Sequence, residues 1–127
     1  MKRTLLIAAV AMAAAGGASA AAPPSDGFAA FYKLFAAAAA KDDQKALAAF
    51  TVLAPSMSYG DGPLTFATVH EHYLTAKLRR CLATGKPKRD IDGTGAVNYF
   101  VFCGNLIYDF TKPTPAGWRW TDLSPDD

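Results

Sequence analysis

The chain has 127 residues, which is enough for one small domain, and 51% of them are hydrophobic. Its 13 basic and 11 acidic residues give a formal net charge of +2, without the clear basic excess of nucleic-acid-binding domains. The composition indicates a single globular domain and argues against a nucleic-acid partner.

The first twenty residues contain the three parts of a secretory signal peptide. A basic start at Lys2 and Arg3 precedes an uncharged apolar run over positions 5–15, and Ala18-Ser19-Ala20 offers small residues to a signal peptidase. An uncleaved anchor is the alternative, but a span needs about 20 strongly apolar residues. We expect residues 1–20 to be removed, so that residues 21–127 form one mature domain with equal numbers of acidic and basic residues.

We then expect the mature domain to be exported to the periplasm or released from the cell, with no transmembrane segment left. Cys81 and Cys103 are the two cysteines of the chain, and an even number in an oxidising compartment predicts a disulfide. Two buried free thiols are the alternative.

Three helices are predicted in the first half of the domain. Ser25 or Asp26 caps the first, whose aromatic residues at positions 28, 31, 32 and 35 fall on one stripe. A second helix follows Lys41-Asp42-Asp43-Gln44 and ends before Pro55. The third begins near Thr65–Thr68 and ends at Gly85. Its inner stripe contains His70, Leu74, Leu78 and Cys81.

The residues after Gly85 have the pattern of an antiparallel meander. Asp92-Gly93 is a hairpin signal, and Gly104-Asn105 is either a second hairpin or a bulge in one long strand. Trp118 to Leu123 forms the last strand, with both tryptophans on one face. Helices followed by such a meander predict an α+β domain whose helices pack on the sheet.

Two segments carry a resemblance to a known superfamily. The phrases AAAAAKDDQKALAAF and GWRWTDL resemble the small periplasmic nuclear-transport-factor-2-like (SnoaL-like, cystatin-like) domains. The resemblance implies helices that cover a strongly bent sheet, often around a conical pocket. It also implies one alternative function, that of an isomerase or hydrolase with an apolar pocket.

Few residues are candidates for catalysis or for metal binding. His70 and His72 are 200° apart on a helix and cannot share a metal ion, so we expect no metal site. His70, Asp109 and Arg119 are the catalytic candidates of the enzyme hypothesis. The sequence contains no nucleophile elbow, phosphate loop or dinucleotide fingerprint, so we expect no cofactor.

A basic run lies between Glu71 and Asp90 without an intervening acidic residue. It is either a solvated face or an anion site, and the second interpretation makes the protein an envelope-associated accessory or inhibitor. The run contains Lys77, Arg79, Arg80, Lys86, Lys88 and Arg89.

The strands carry more aromatic residues than one sheet face requires. An exposed apolar face usually marks an interface or a ligand groove, and we expect one formed by Phe100, Phe102, Trp118 and Trp120. The favoured hypothesis is therefore a non-catalytic exported domain that binds a small apolar molecule or a protein partner, which includes a homodimer.

Overall fold

The computed structural model describes residues 26–115 and 117–126, so the predicted signal peptide and Ser25 lie outside the described residues. Helices followed by a four-stranded antiparallel sheet confirm the α+β class. Within the described ranges, no helix has the length and apolar character that a membrane span needs. The elements are α1 (Phe28–Lys41), α2 (Gln44–Ala49), a 3-10 helix (Pro55–Met57), α3 (Phe66–Tyr73), α4 (Ala76–Thr84), β1 (Lys88–Ile91), β2 (Val97–Cys103), β3 (Leu106–Thr114) and β4 (Gly117–Pro125).

Helix α1 presents the aromatic row that its spacing predicts. The second half of the helix is mostly alanine, which favours helix because no side-chain freedom is lost. All four rings of the row lie 5.1 to 6.0 Å, between centroids, from the ring of Phe110 on β3. Helix and sheet therefore meet through aromatic contacts. The four buried residues are Phe28, Phe31, Tyr32 and Phe35.

The segment predicted as a third helix forms two helices, α3 and α4. The break lies at Leu74 and Thr75, where the Thr75 side-chain oxygen accepts a hydrogen bond from the Leu78 N–H at 3.3 Å. A threonine favours such a break because its side chain replaces the helical backbone as the partner of that amide. His70 therefore lies on α3 and Cys81 on α4.

The four strands pair in sequence order, β1-β2-β3-β4. Gly104 and Asn105 alone connect β2 to β3, and Cys103 pairs with Leu106 across this turn. Gly104 has a φ of 62°, which glycine adopts without steric cost. The segment is therefore a hairpin turn, and the bulge alternative is excluded.

The sheet has a buried inner face and a partly exposed outer face. The residues that alternate with the inner ones on β2 and β3 are half-buried or exposed, as expected when helices cover one face of a sheet. Most of the core lies between the inner face and the helices. The buried inner-face residues are Tyr99, Val101, Cys103, Tyr108, Phe110, Trp118, Trp120 and Leu123.

The predicted disulfide is confirmed. Cys81 and Cys103 are bonded, with their Cα atoms 5.8 Å apart and a sequence separation of 22 residues. Cys103 ends β2 on the inner face, and Cys81 lies in the last two turns of α4. The bond therefore holds α4 on the end of the sheet where β2 turns into β3.

Replacement of both Cys81 and Cys103 by alanine is expected to lower the free energy of unfolding by about 3 kcal/mol, because the unfolded chain gains conformational freedom. Urea denaturation followed by circular dichroism measures this difference against the oxidised wild type. The reductant dithiothreitol should destabilise the wild type and leave the double variant unchanged. Equal stability of variant and oxidised wild type would contradict the prediction.

Candidate functional site

The outer face of the sheet carries a small group of apolar side chains. Phe102 is 46% exposed, and Phe100 and Ile107 are half-buried. In the strand register Phe102 pairs with Ile107, while Phe100 pairs with Asp109. We name Phe100, Phe102 and Ile107 the outer apolar group.

The structure divides the four residues of the predicted apolar face between the two faces of the sheet. Phe100 and Phe102 lie outside, but Trp118 and Trp120 point inward and are 5% and 0% exposed. The indole N–H of Trp118 donates to the backbone carbonyl of Asp26 at 2.8 Å. Both tryptophans belong to the core, where Trp118 contacts Phe28 of α1 and Trp120 contacts Tyr108 of β3. This corrects the prediction for the tryptophans.

Charged side chains border the outer apolar group. Asn98 donates a hydrogen bond of 3.2 Å to the carboxylate of Asp109. Burial raises the pKa of Asp109, the hydrogen bond from Asn98 opposes this effect, and the nearby charge of Asp122 adds to it. Arg119 donates to the backbone carbonyl of Trp118 at 2.6 Å. Asp109 and Arg119 lie on the outer face, because each alternates along its strand with buried inner-face residues.

His70 lies in the helical layer, on the other side of the sheet from Asp109 and Arg119. Its Nε2 is 2.7 Å from a carboxylate oxygen of Asp42, just beyond the end of α1. Arg79 Nε on α4 is 3.5 Å from the same oxygen. The hydrogen bond with His70 lowers the pKa of Asp42. This contact joins α1, α3 and α4, and the structure does not bring the three catalytic candidates together.

The two histidines of α3 point in different directions. The ring of His72 stacks on Tyr59 with centroids 3.6 Å apart, whereas His70 contacts Asp42. This divergence follows from their spacing of two residues on a helix. Among residues 26–115 and 117–126, no group of three or more His, Cys, Asp or Glu side chains is arranged to hold a metal ion.

An apolar cleft of about 400 Å³ lies between α1 and the sheet. This volume is in the range of sites for small organic molecules. The rings of Phe28 and Tyr99 stack in its wall with centroids 3.7 Å apart. Ala29 and Pro87 add apolar surface, and Lys33 adds a positive charge.

Asp26 lies in the wall of this cleft and joins α1 to the sheet. Its carboxylate accepts hydrogen bonds from the Tyr99 hydroxyl and from the Phe28 N–H, the latter at 3.0 Å. Arg89 Nε lies 3.9 Å from a carboxylate oxygen of Asp26. Burial raises the pKa of Asp26, but the hydrogen bonds from Tyr99 and Phe28 outweigh burial, so the pKa is lowered.

The six basic residues of the run occupy different environments. Arg79 and Arg89 face carboxylates of the chain itself. Lys88 lies on the outer face, with its Nζ 5.5 Å from the ring centroid of Phe102. The remaining three are exposed and have no ion pair with the described residues, so an anion site formed by them stays a prediction. They are Lys77, Arg80 and Lys86.

The sequence interpretation missed two residues of these sites. Ile107 occupies the outward position beside Tyr108, which strand alternation alone indicated, and the hairpin register pairs it with Phe102. Asp26 was predicted only as a helix cap. Its contact with Tyr99 joins residues 73 positions apart, and no local pattern indicates such a partner.

Comparisons with family models, with curated proteins and with solved structures found no match to this chain. The resemblance to nuclear-transport-factor-2-like domains therefore stays a prediction. The function has to be inferred from the surfaces described above.

Asp26→Asn should lower the free energy of unfolding by about 1–2 kcal/mol at pH 7, because it removes a charged hydrogen-bond acceptor. The folded-state pKa of Asp26 is lowered. The contribution of the ionised Asp26 to stability is therefore complete at pH values above its unfolded-state pKa of about 4. It is lost as the pH falls through its folded-state pKa. Urea denaturation at pH 7 and pH 2.5 should show a smaller difference at the lower pH.

Asp61→Asn is the matched control, since Asp61 lies in an exposed turn. It should leave the stability unchanged at both pH values. A difference between wild type and Asp26→Asn that stays constant with pH would contradict the ionised role of Asp26.

Proposed function

We propose that this chain is a small, exported, non-catalytic domain that recognises a protein partner through the outer face of its sheet. The observation that carries the proposal is the outer apolar group, in which Phe102 keeps 46% of its surface exposed next to Phe100 and Ile107. Grouped apolar exposure of this kind is typical of interaction sites.

Simple energetics support recognition by this surface. Full burial of a Phe side chain contributes about 1.5–3 kcal/mol, so covering the exposed half of Phe102 contributes about 1 kcal/mol. Aromatic anchors surrounded by polar groups are common centres of protein interfaces. Lys88, Asp109 and Ser124 provide such a polar surround, since each pairs with a member of the group in the strand register.

The non-catalytic part of the proposal is supported by the positions of the catalytic candidates. His70 contacts Asp42 in the helical layer, while Asp109 and Arg119 belong to the outer face. A general base and its partners have to reach one substrate atom, and these three side chains lie on two sides of the sheet.

Export is supported by two independent features. The first is the signal-peptide pattern of residues 1–20. The second is the disulfide between Cys81 and Cys103, a bond that persists in the periplasm or outside the cell. We propose that the domain acts in one of these compartments.

A second candidate function is the binding of a small apolar molecule in the cleft beside α1. The cleft favours it because aromatic rings and Ala29 offer apolar surface in a volume of about 400 Å³. The two candidate functions use different surfaces, so single substitutions can separate them.

Phe102→Asp should reduce the fluorescence of the dye 8-anilinonaphthalene-1-sulfonate with the native protein by about half or more, because it places a charge in the outer apolar group. Leu34→Asp is the control: Leu34 is 60% exposed on α1 and lies outside that group. Circular dichroism verifies that both variants are folded. Equal effects of the two substitutions, or no dye binding by the wild type, would contradict the proposal.

Ala29→Trp should fill the cleft and weaken binding of the neutral probe N-phenyl-1-naphthylamine by about tenfold or more, since the cleft volume is lost. Ala37→Trp, at an exposed position of the same helix, is the control and should bind as the wild type does. Fluorescence titration gives the dissociation constants. Unchanged binding by Ala29→Trp would exclude the cleft as the ligand site.

A further inference from the structure

We propose that the partner of the outer face is a second copy of this chain, bound across a two-fold axis that runs parallel to the strands between β2 and β3. This inference rests on the proposed function, because it names the partner of the same surface. It is carried by the pattern of charges and apolar side chains, which is complementary to itself.

The strand register arranges the outer-face residues in three rows that cross the sheet from β1 to β4. Asn98 and Thr111 belong to one row because they flank the Tyr99–Phe110 pair. The row from Lys88 to Asp122 begins with a basic residue and ends with an acidic one, and the row from Asp90 to Arg119 has the opposite order. The rows are Lys88, Phe100, Asp109 and Asp122; Asp90, Asn98, Thr111 and Arg119; and Phe102, Ile107 and Ser124.

Rotation about the proposed axis places β1 of one copy over β4 of the other, and β2 over β3. Lys88 then lies over Asp122, and Asp90 lies over Arg119. Each of these pairs occurs twice, so four contacts join opposite charges. A two-fold interface has to be complementary to itself, and these rows meet that condition.

The apolar row decides between two possible axes. An axis perpendicular to the strands also matches charges, since it places Lys88 over Asp90 and Asp122 over Arg119. It leaves the row of Phe102 without an apolar counterpart. The strand-parallel axis instead places Phe102 of each copy over Ile107 of the other. Opposite charges then face each other, and the exposed Phe102 side chain is covered by an apolar one.

The same rotation places Phe100 over Asp109. This carboxylate already accepts a hydrogen bond from Asn98 at 3.2 Å, and it keeps that partner when water leaves. Burying a carboxylate that has a hydrogen-bond partner costs less free energy than burying one without a partner. The contact between Phe100 and Asp109 is therefore compatible with the dimer.

The size of the face indicates a weak dimer. Four strands about 4.8 Å apart and seven residues of about 3.3 Å each give a footprint of about 450 Å² per copy. The total of about 900 Å² is below the range of about 1,200–2,000 Å² of stable specific interfaces and belongs with weak, transient ones. We therefore expect a dimer that dissociates on dilution.

Sedimentation equilibrium of the purified, oxidised protein tests the inference through a charge exchange. Asp90→Lys and Arg119→Asp should each weaken dimerisation by about tenfold or more, because like charges then face each other. The double variant should restore the wild-type affinity to within about threefold. Phe102→Asp should give a monomer, and Leu34→Asp should dimerise as the wild type does.

If Arg119→Asp fails to fold, the exchange of Lys88→Asp with Asp122→Lys tests the other charge pair. The Asp122 carboxylate also accepts hydrogen bonds from Ser56 and the Leu123 N–H, so circular dichroism has to verify that the Asp122→Lys variants are folded. The perpendicular axis predicts a different result. The double variant Lys88→Asp with Asp90→Lys would then restore dimerisation, and the double variant Asp90→Lys with Arg119→Asp would not. That outcome would overturn the proposed axis. A wild-type protein that is monomeric up to about 1 mM would also overturn the inference, as would a dimer that Phe102→Asp does not affect.

Dye binding separates this failure from failure of the proposed function. A monomeric wild type whose dye binding still depends on Phe102 leaves the outer face as a recognition surface for a different protein. A monomeric wild type whose dye binding does not depend on Phe102 refutes both the dimer and the proposed function.

Discussion

The packing of the α1 aromatic row against Phe110 is the constraint on which the rest of the structure depends. Four rings of one helix meet one ring of the central strand β3, all within 6.0 Å between centroids. Such contacts combine large apolar burial with directional ring geometry. They set which face of the sheet lies inside. Because side chains alternate along a strand, they also set which residues remain outside.

This packing has a direct consequence for function. Trp118 and Trp120 are buried in the core, where Trp118 contacts Phe28 of α1 and Trp120 contacts Tyr108 of β3. The surfaces that we propose for recognition are therefore at the periphery. One is the outer face around Phe102, and the other is the cleft where α1 meets the sheet.

Two cross-links hold the helical layer in register with the sheet, at different places. Asp26 connects the start of α1 to Tyr99 and Trp118, and the disulfide connects α4 to the end of β2. A rigid sheet presents its outer side chains in a constant pattern. Self-complementary recognition needs such a pattern, because charges on β1 have to meet charges on β4 of a second copy.

The sequence by itself determined the elements with strong local signals. The aromatic spacing of α1 and the pairing of Cys81 with Cys103 follow from residue types and spacing, whereas Gly104-Asn105 was compatible with a hairpin or a bulge until the strand register was known. Alternation also separated the two faces of each strand. It could not say which face the helices would cover, since Phe100 and Trp118 are both apolar, and only three-dimensional packing decided that.

Only the tertiary structure decided the long-range contacts. The partners Asp26 and Tyr99, or His70 and Asp42, are separated by tens of residues and have no periodic pattern between them. The break at Thr75 depended on a local competition between side-chain and backbone hydrogen bonds. The charge pattern of the outer face required the strand register, because register sets which residues of distant strands lie side by side.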